Sequence, residues 1–250
     1  MSDTALAFAR ALTLVRDLRA RCPWDHVQTR DTLRPYLVEE ALELDQALRR
    51  GEPDAVRDEL GDLLLHLAFQ IVLGEERGEF DAETVTRGVE EKMRRRHPHL
   101  FGRGEKPQSW ERGKREKGKG KRGVLDGLPP MLPPLLMAYR LQERAAGVGF
   151  DWPDATGPIQ KVKEELAELE RETGKGERER LQDELGDLLF AVVNLARKLA
   201  IDPRAALEQA NDKFTRRFEA VERLAEQRGL DLGRAGLADL DRLWDEVKAR

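Results

Sequence analysis

What this sequence lacks already narrows its class. It has one cysteine, Cys22, so an intrachain disulfide framework is excluded, and a lone thiol fits a reducing compartment. Neither charge sign dominates: the formal net charge is −4, which gives no global electrostatic case for a nucleic acid or an acidic membrane as partner. The N-terminus carries no basic-then-apolar signal pattern. The longest apolar run, Leu63 to Leu73, is broken by His66 and Gln70 and is far too short to span a bilayer. A cytoplasmic location is therefore expected, with no membrane partner. Aromatic residues make up only 6% of the chain, and no segment alternates with the period of a strand. What is abundant is Leu, Ala, Glu and Arg, which favour helices, with 40% hydrophobic residues to build a core. The expected class is all-α, in one or two domains.

The chain repeats itself. Residues 33–73 set against 158–198, an ungapped offset of 125, match at 13 of 41 positions, including Asp58-Glu-Leu-Gly-Asp-Leu-Leu64 with Asp183-Glu-Leu-Gly-Asp-Leu-Leu189. Lys92 and Arg96 resemble Lys213 and Arg217 in spacing, as Trp110 and Lys114 resemble Trp244 and Lys248. Between the halves, Arg103 to Arg122 holds nine Lys or Arg and three Glu among its glycines, a composition that buries no apolar surface. It reads as a linker; a nucleic-acid arm is the sharper alternative, but no aromatic pattern accompanies it. Leu128-Pro-Pro-Met-Leu-Pro-Pro then marks the boundary. The expected organisation is a first domain over 1–102, a basic Gly- and Pro-containing linker over 103–130, and a second domain over 131–250.

Helix signals define the interior of each half. In the first, helices are expected over 32–50, over 54–77 behind Pro53, and over 82–96 after Asp81. In the second, one is expected over 135–146, one capped by Thr156 with Pro158 in its first turn and stopping at Gly174 and Gly176, and one opened by Asp202-Pro203.

Each repeat carries two acidic pairs three residues apart, which share a helix face: Glu40 with Glu43 and Glu59 with Asp62, then Glu165 with Glu168 and Glu184 with Asp187. In an antiparallel hairpin, residues equidistant from the turn lie at the same height. The midpoint of 40 and 62, and of 43 and 59, is Gly51; the midpoint of 165 and 187, and of 168 and 184, is Gly176. Helix-breaking residues stand where the geometry needs the turns. The second helix of each hairpin is apolar nearly all round (Leu60, Leu63, Leu64, Leu65 and Leu67; Leu185, Leu188, Leu189, Phe190, Val192 and Val193), so it is expected to be buried and to carry its carboxylates inward. Clustered carboxylates repel and take up protons unless a cation compensates them. Oxygen ligands without His or Cys select Mg²⁺, or Mn²⁺, over zinc, and Mg²⁺ so held fills its open positions with phosphate oxygens. A solvated acidic face is the plain alternative for any one of these residues, but a duplicated, height-matched quartet on apolar helices is not explained that way. A di-iron bundle site needs Glu-x-x-His, which is absent here. His26, His66, His97 and His99 read as structural or surface residues.

Glu-Glu-x-x-Glu followed by Asp-Glu-Leu-Gly-Asp, duplicated, with Cys22-Pro-Trp-Asp25, Gly149-Phe-Asp-Trp152 and Asn211-Asp-Lys-Phe214, resembles the MazG family, the tandem-domain members of the all-α NTP pyrophosphohydrolase superfamily. The resemblance covers nearly the whole chain. It implies two tandem four-helix-bundle-like domains and Mg²⁺-dependent hydrolysis of NTPs and dNTPs to monophosphate and pyrophosphate. It further implies broad base tolerance and a homodimer. Carried onto this chain, it makes Glu165, Glu168, Glu184 and Asp187 metal ligands, with Glu40, Glu43, Glu59 and Asp62 a second candidate site. Glu164 or Glu165 is a candidate base beside Glu168, Glu184 and Asp187 in the catalytic set. Lys161, Lys163, Glu164, Arg180, Asp183, Asp187, Lys213, Arg217, Trp244 and Lys248 become nucleotide contacts. Lys and Arg would neutralise the triphosphate, and Trp244 either offers a face to the base or packs in a core.

The two copies differ around the quartet. Lys161 and Lys163 correspond to Tyr36 and Val38, so the second half is expected to be catalytic and the first supporting. Three rivals remain at this level: a dUTP or dCTP pyrophosphatase, a phosphoribosyl-ATP pyrophosphohydrolase, and a non-catalytic helical scaffold binding RNA or protein.

Overall fold

A computed structural model describes residues 3–102, 123–174 and 176–249. Among them are eleven helices and no strand. The chain divides into two compact units, Met1–Pro107 and Gln108–Arg250. The basic run and, within it, Trp110 and Lys114 lie outside the described residues.

In the first unit, α1 (Asp3–Arg21) leads through the short α2 (Pro23–His26) to the hairpin of α3 (Arg30–Arg50) and α4 (Pro53–Glu76). The unit ends with α5 (Ala82–Arg96) and a final turn, α6 (Pro98–Phe101). The Thr29 hydroxyl accepts from the Thr32 amide while Thr32 Oγ1 accepts from the Thr29 amide, a reciprocal cap that starts α3. Gly51, at φ 69°, closes it in the left-handed region, and Pro53 begins α4 with a φ preset for a helix. Helix α1, which carries Leu12 and Val15, is not among the expected elements. It buries them against Leu33 of α3 and Ala68, Phe69, Ile71, Val72 and Leu73 of α4. Arg19 ties this end together: its guanidinium donates to the carbonyls of Asp25 and Gln28 and is paired with Glu76.

The second unit repeats the hairpin with α8 (Thr156–Thr173) and α9 (Arg178–Lys198), preceded by α7 (Pro134–Ala146) and followed by α10 (Pro203–Gln227) and α11 (Leu237–Ala249). Helix α7 packs on α9 and α10, and Gln142 Nε2 donates to the Phe190 carbonyl at 2.8 Å. Val221, Leu224, Ala225 and Leu243 form the core between α10 and α11. Thr156 is not the cap expected of it. It lies inside α8 behind the N-cap Ala155, and its amide donates to Asp154 Oδ1.

The expected burial of the second hairpin helix is only half right. In α4 the C-terminal half is buried, but Leu60, Leu64 and Leu67 remain exposed. In α9 only Ala191 and Val193 are buried, while Leu185, Leu189, Phe190 and Val192 are each 44–53% exposed. A helix apolar all round needs cover on two sides. Within its own unit, α4 meets α3 and α1, and α9 meets α8 and α7, and these neighbours leave the named side chains uncovered.

Candidate metal centre

Both turn glycines fall in the left-handed region, Gly51 at φ 69° and Gly176 at φ 74°, where a side chain would be strained. The two midpoints read from the sequence are therefore the places where the chain reverses, and the acidic pairs face each other. Carboxylate oxygens of Glu40, Glu59 and Asp62 lie within 4.8 Å of one another, as do those of Glu165, Glu184 and Asp187. These triplets occupy equivalent positions of the two repeats. The fourth member stands apart in each copy. Glu43 belongs to no such group among the described residues, and Glu168 joins Glu164 and Glu165 in a second triplet.

The clusters are less buried than the apolar helices imply. Only Glu165, 5% exposed, is fully buried; Glu40, Glu59, Glu168 and Glu184 are half-buried, and Glu43, Asp62 and Asp187 are exposed. Even so, the crowding shows in the acidities. Loss of solvent and then repulsion from Asp62, Glu43 and Glu59 push the Glu40 carboxyl up. Glu59 is raised by loss of solvent and then by Glu43, and Glu184 by loss of solvent and then by Glu168. In all three the strongest neighbouring charge is the residue equidistant from the turn. Oxygen donors alone, closely spaced and mutually repelling, suit a hard divalent cation.

The surroundings of the two clusters differ. In the second copy, Lys161 Nζ stands 2.5 Å from Glu165 Oε1 and donates to Glu164 Oε1 at 2.9 Å, while Arg171 donates to Glu168 at 3.1 Å. In the first copy Tyr36 replaces that lysine, its ring stacked on His66 at 6.3 Å and edge-on to Trp24 at 6.5 Å. His66, buried, has its Nε2 3.9 Å from Glu40 Oε1, and burial holds its imidazole below its usual value against the pull of Asp62. That contact was missed in the sequence. Its signal is the spacing Asp62-x-x-x-His66, one helical turn.

The remaining candidates are spread along the second unit. Lys163 is exposed and, two residues from Lys161, lies roughly 200° around α8, away from the cluster face. Arg180 is paired with Glu177 at 2.7 Å, and Asp183 is exposed. Lys213 and Arg217 sit one turn apart on α10. Trp244 is partly buried against the α10–α11 core, 5.4 Å from the Phe214 ring, and Lys248 lies 3.9 Å from Asp245. Leading into α8, Asp151 is held by Arg197 and by Lys198 at 3.2 Å, which keeps its carboxyl below the usual range. The Trp152 ring fills the space where a Cβ on Gly157 would fall, so this glycine lets the loop lie against the helix start.

The sequence pattern described as the MazG nucleotide pyrophosphohydrolase domain matches residues 28–101 and 156–222. The chain belongs to the MazG family. Each matched segment encloses one acidic hairpin; Trp244 and Lys248 lie beyond them. The chain is 42% identical over 253 residues to the nucleoside triphosphate pyrophosphohydrolase/pyrophosphatase MazG of Thermotoga maritima, covering 99% of this chain and 98% of that one. It is 39% identical to the nucleoside triphosphate pyrophosphohydrolase of Escherichia coli K12, covering 96% of each. A Bacillus subtilis protein, YabN, is 40% identical over 96% of this chain but 51% of its own length. The alignments to the first two relatives span both acidic hairpins.

Proposed function

We propose that this protein hydrolyses nucleoside and deoxynucleoside triphosphates to the monophosphate and pyrophosphate, with Mg²⁺ held by Glu165, Glu184 and Asp187 and with Glu168 completing the set. The observation that carries this reading is the carboxylate triplet across the α8–α9 hairpin, in a chain that matches triphosphate pyrophosphohydrolases along nearly its whole length. When bound, Mg²⁺ supplies charge neutralisation at the phosphates and a position for the attacking water. The chain's own residues do the rest. Lys161, with Lys213 and Arg217, binds the polyphosphate, and Glu164 stands in the cluster as the candidate proton acceptor. Trp244 offers a ring face rather than hydrogen-bonding groups to a base, which supports broad base tolerance.

The second unit is the catalytic one in this reading, because among the described residues it alone places a lysine in its acidic cluster; the first is supporting. Glu168→Ala is expected to lower pyrophosphate release by on the order of 10²-fold or more, and Glu43→Ala to leave most of it. The reverse pattern overturns the assignment. Substrate hydrolysis confined to one base or sugar overturns the broad specificity, and release undiminished by chelation overturns the metal. Among the described residues no helix is long and apolar enough to cross a membrane. That absence, the triphosphate substrate and the lone cysteine support a cytoplasmic location. The exposed apolar faces of α4 and α9 support a homodimer.

A further inference from the structure

The second acidic cluster already holds a cation that belongs to the chain. Lys161 Nζ lies 2.5 Å from Glu165 Oε1, and Glu165 is shared by both carboxylate triplets of that unit. It is also the only fully buried acid of the cluster. One ammonium therefore occupies the oxygen that a divalent ion most needs. A lysine cannot serve Glu165 and a triphosphate at once at full strength, since its donors point to one or the other. Among the described residues the first unit has no lysine counterpart: Tyr36 stands at the position of Lys161 and turns its ring to His66.

We propose that Lys161 is an interim counter-ion that couples metal binding to triphosphate binding. Before the metal arrives it neutralises Glu165; the divalent ion displaces it, and the freed ammonium, one turn along α8, takes the substrate's phosphates. Metal and triphosphate then each raise the other's affinity by the same factor, as linkage requires. This rests on the triphosphate pyrophosphohydrolase reading and gives one of its contact residues a second duty. It also assigns a cost to metal binding without substrate, because an ion pair must be broken with nothing yet to receive the lysine.

Mn²⁺ binding followed by electron paramagnetic resonance tests it, in a Glu40→Gln background that weakens the first cluster's contribution. Without nucleotide, Lys161→Met is expected to bind Mn²⁺ about fivefold or more tightly, whereas Lys163→Met, removing an equal charge from the opposite face of α8, stays within about twofold of the parent. With a non-hydrolysable triphosphate, the parent's Mn²⁺ affinity rises by about fivefold or more, and Lys161→Met loses most of that rise. Equal effects of the two lysine substitutions, or a rise that survives Lys161→Met, overturn the proposal. A parent showing no rise also overturns it, and pyrophosphate release measured on that same protein then tells whether the enzymatic reading falls with it or stands alone.

Discussion

At the level of single residues, the two clusters are poised by repulsion that a cation relieves. Glu40, Glu59 and Glu184 all have their carboxyls raised above the ordinary value of 4.5. A raised carboxyl means that the folded chain holds the proton more tightly than the unfolded one. Its stabilising contribution is complete below the ordinary value and is lost as pH climbs through the raised ones. Metal-free protein should therefore lose stability from these three groups as pH rises above the ordinary value of 4.5. In the proposed reading a divalent ion takes the place of those protons, so saturating Mg²⁺ is expected to raise the melting temperature more at about pH 7.5 than at about pH 5. Differential scanning fluorimetry at the two pH values checks this; an equal rise at both would mean that the ion binds elsewhere. Lys161 adds a local difference between the copies, since its ammonium is held more basic than usual by Glu165 and Glu164. The carboxylate triplets and this lysine were legible because acids three apart, repeated, leave a mark in the sequence. His66 was not, because a lone histidine one turn from an acid is common, and only the fold shows it buried beside Glu40.

At the level of elements, the hairpin geometry could be worked out from residue numbers alone, because an antiparallel pair with a tight turn leaves one free parameter, the turn centre. Gly51 and Gly176 fix it. Thr156 was misread for a physical reason: the Asp154 carboxylate satisfies its amide from outside the helix, so a good capping residue sits inside the first turn. The second helix of each hairpin carries a glycine between its paired acids, Gly61 and Gly186, where a built Cβ would meet nothing within 4 Å. The two kinds of glycine should respond oppositely to alanine. Gly51→Ala puts a side chain at φ 69° and is expected to cost about 1–2 kcal/mol. Gly61→Ala removes a weak helix former from open space and is expected to gain about 0.5–1 kcal/mol. Urea unfolding of both variants measures the difference. A loss at Gly61 would show that something outside the chain approaches the helix there.

At the level of the whole molecule, hydrophobic pattern reports that a face is covered but not by what. Leu60, Leu64 and Leu67, with Leu185, Leu189, Phe190 and Val192, read as buried in the sequence and stand exposed in the single chain. The duplication and the all-α class concern the chain itself and were legible for that reason; a partner leaves only an excess of leucine. An apolar face this extensive on two equivalent helices costs solubility unless it is covered, and a second copy of the same chain offers the same faces in return. Leu189, 53% exposed on α9, makes no part of the core clusters of its unit, so Leu189→Asp spares the fold while placing a charge where the partner would pack. Light scattering after size exclusion is expected to give a dimer mass for the parent and about half of it for Leu189→Asp, with the helical circular dichroism of the two alike. A variant that keeps the parent's mass would mean that α9 faces solvent in solution, and the leucines there would need another explanation.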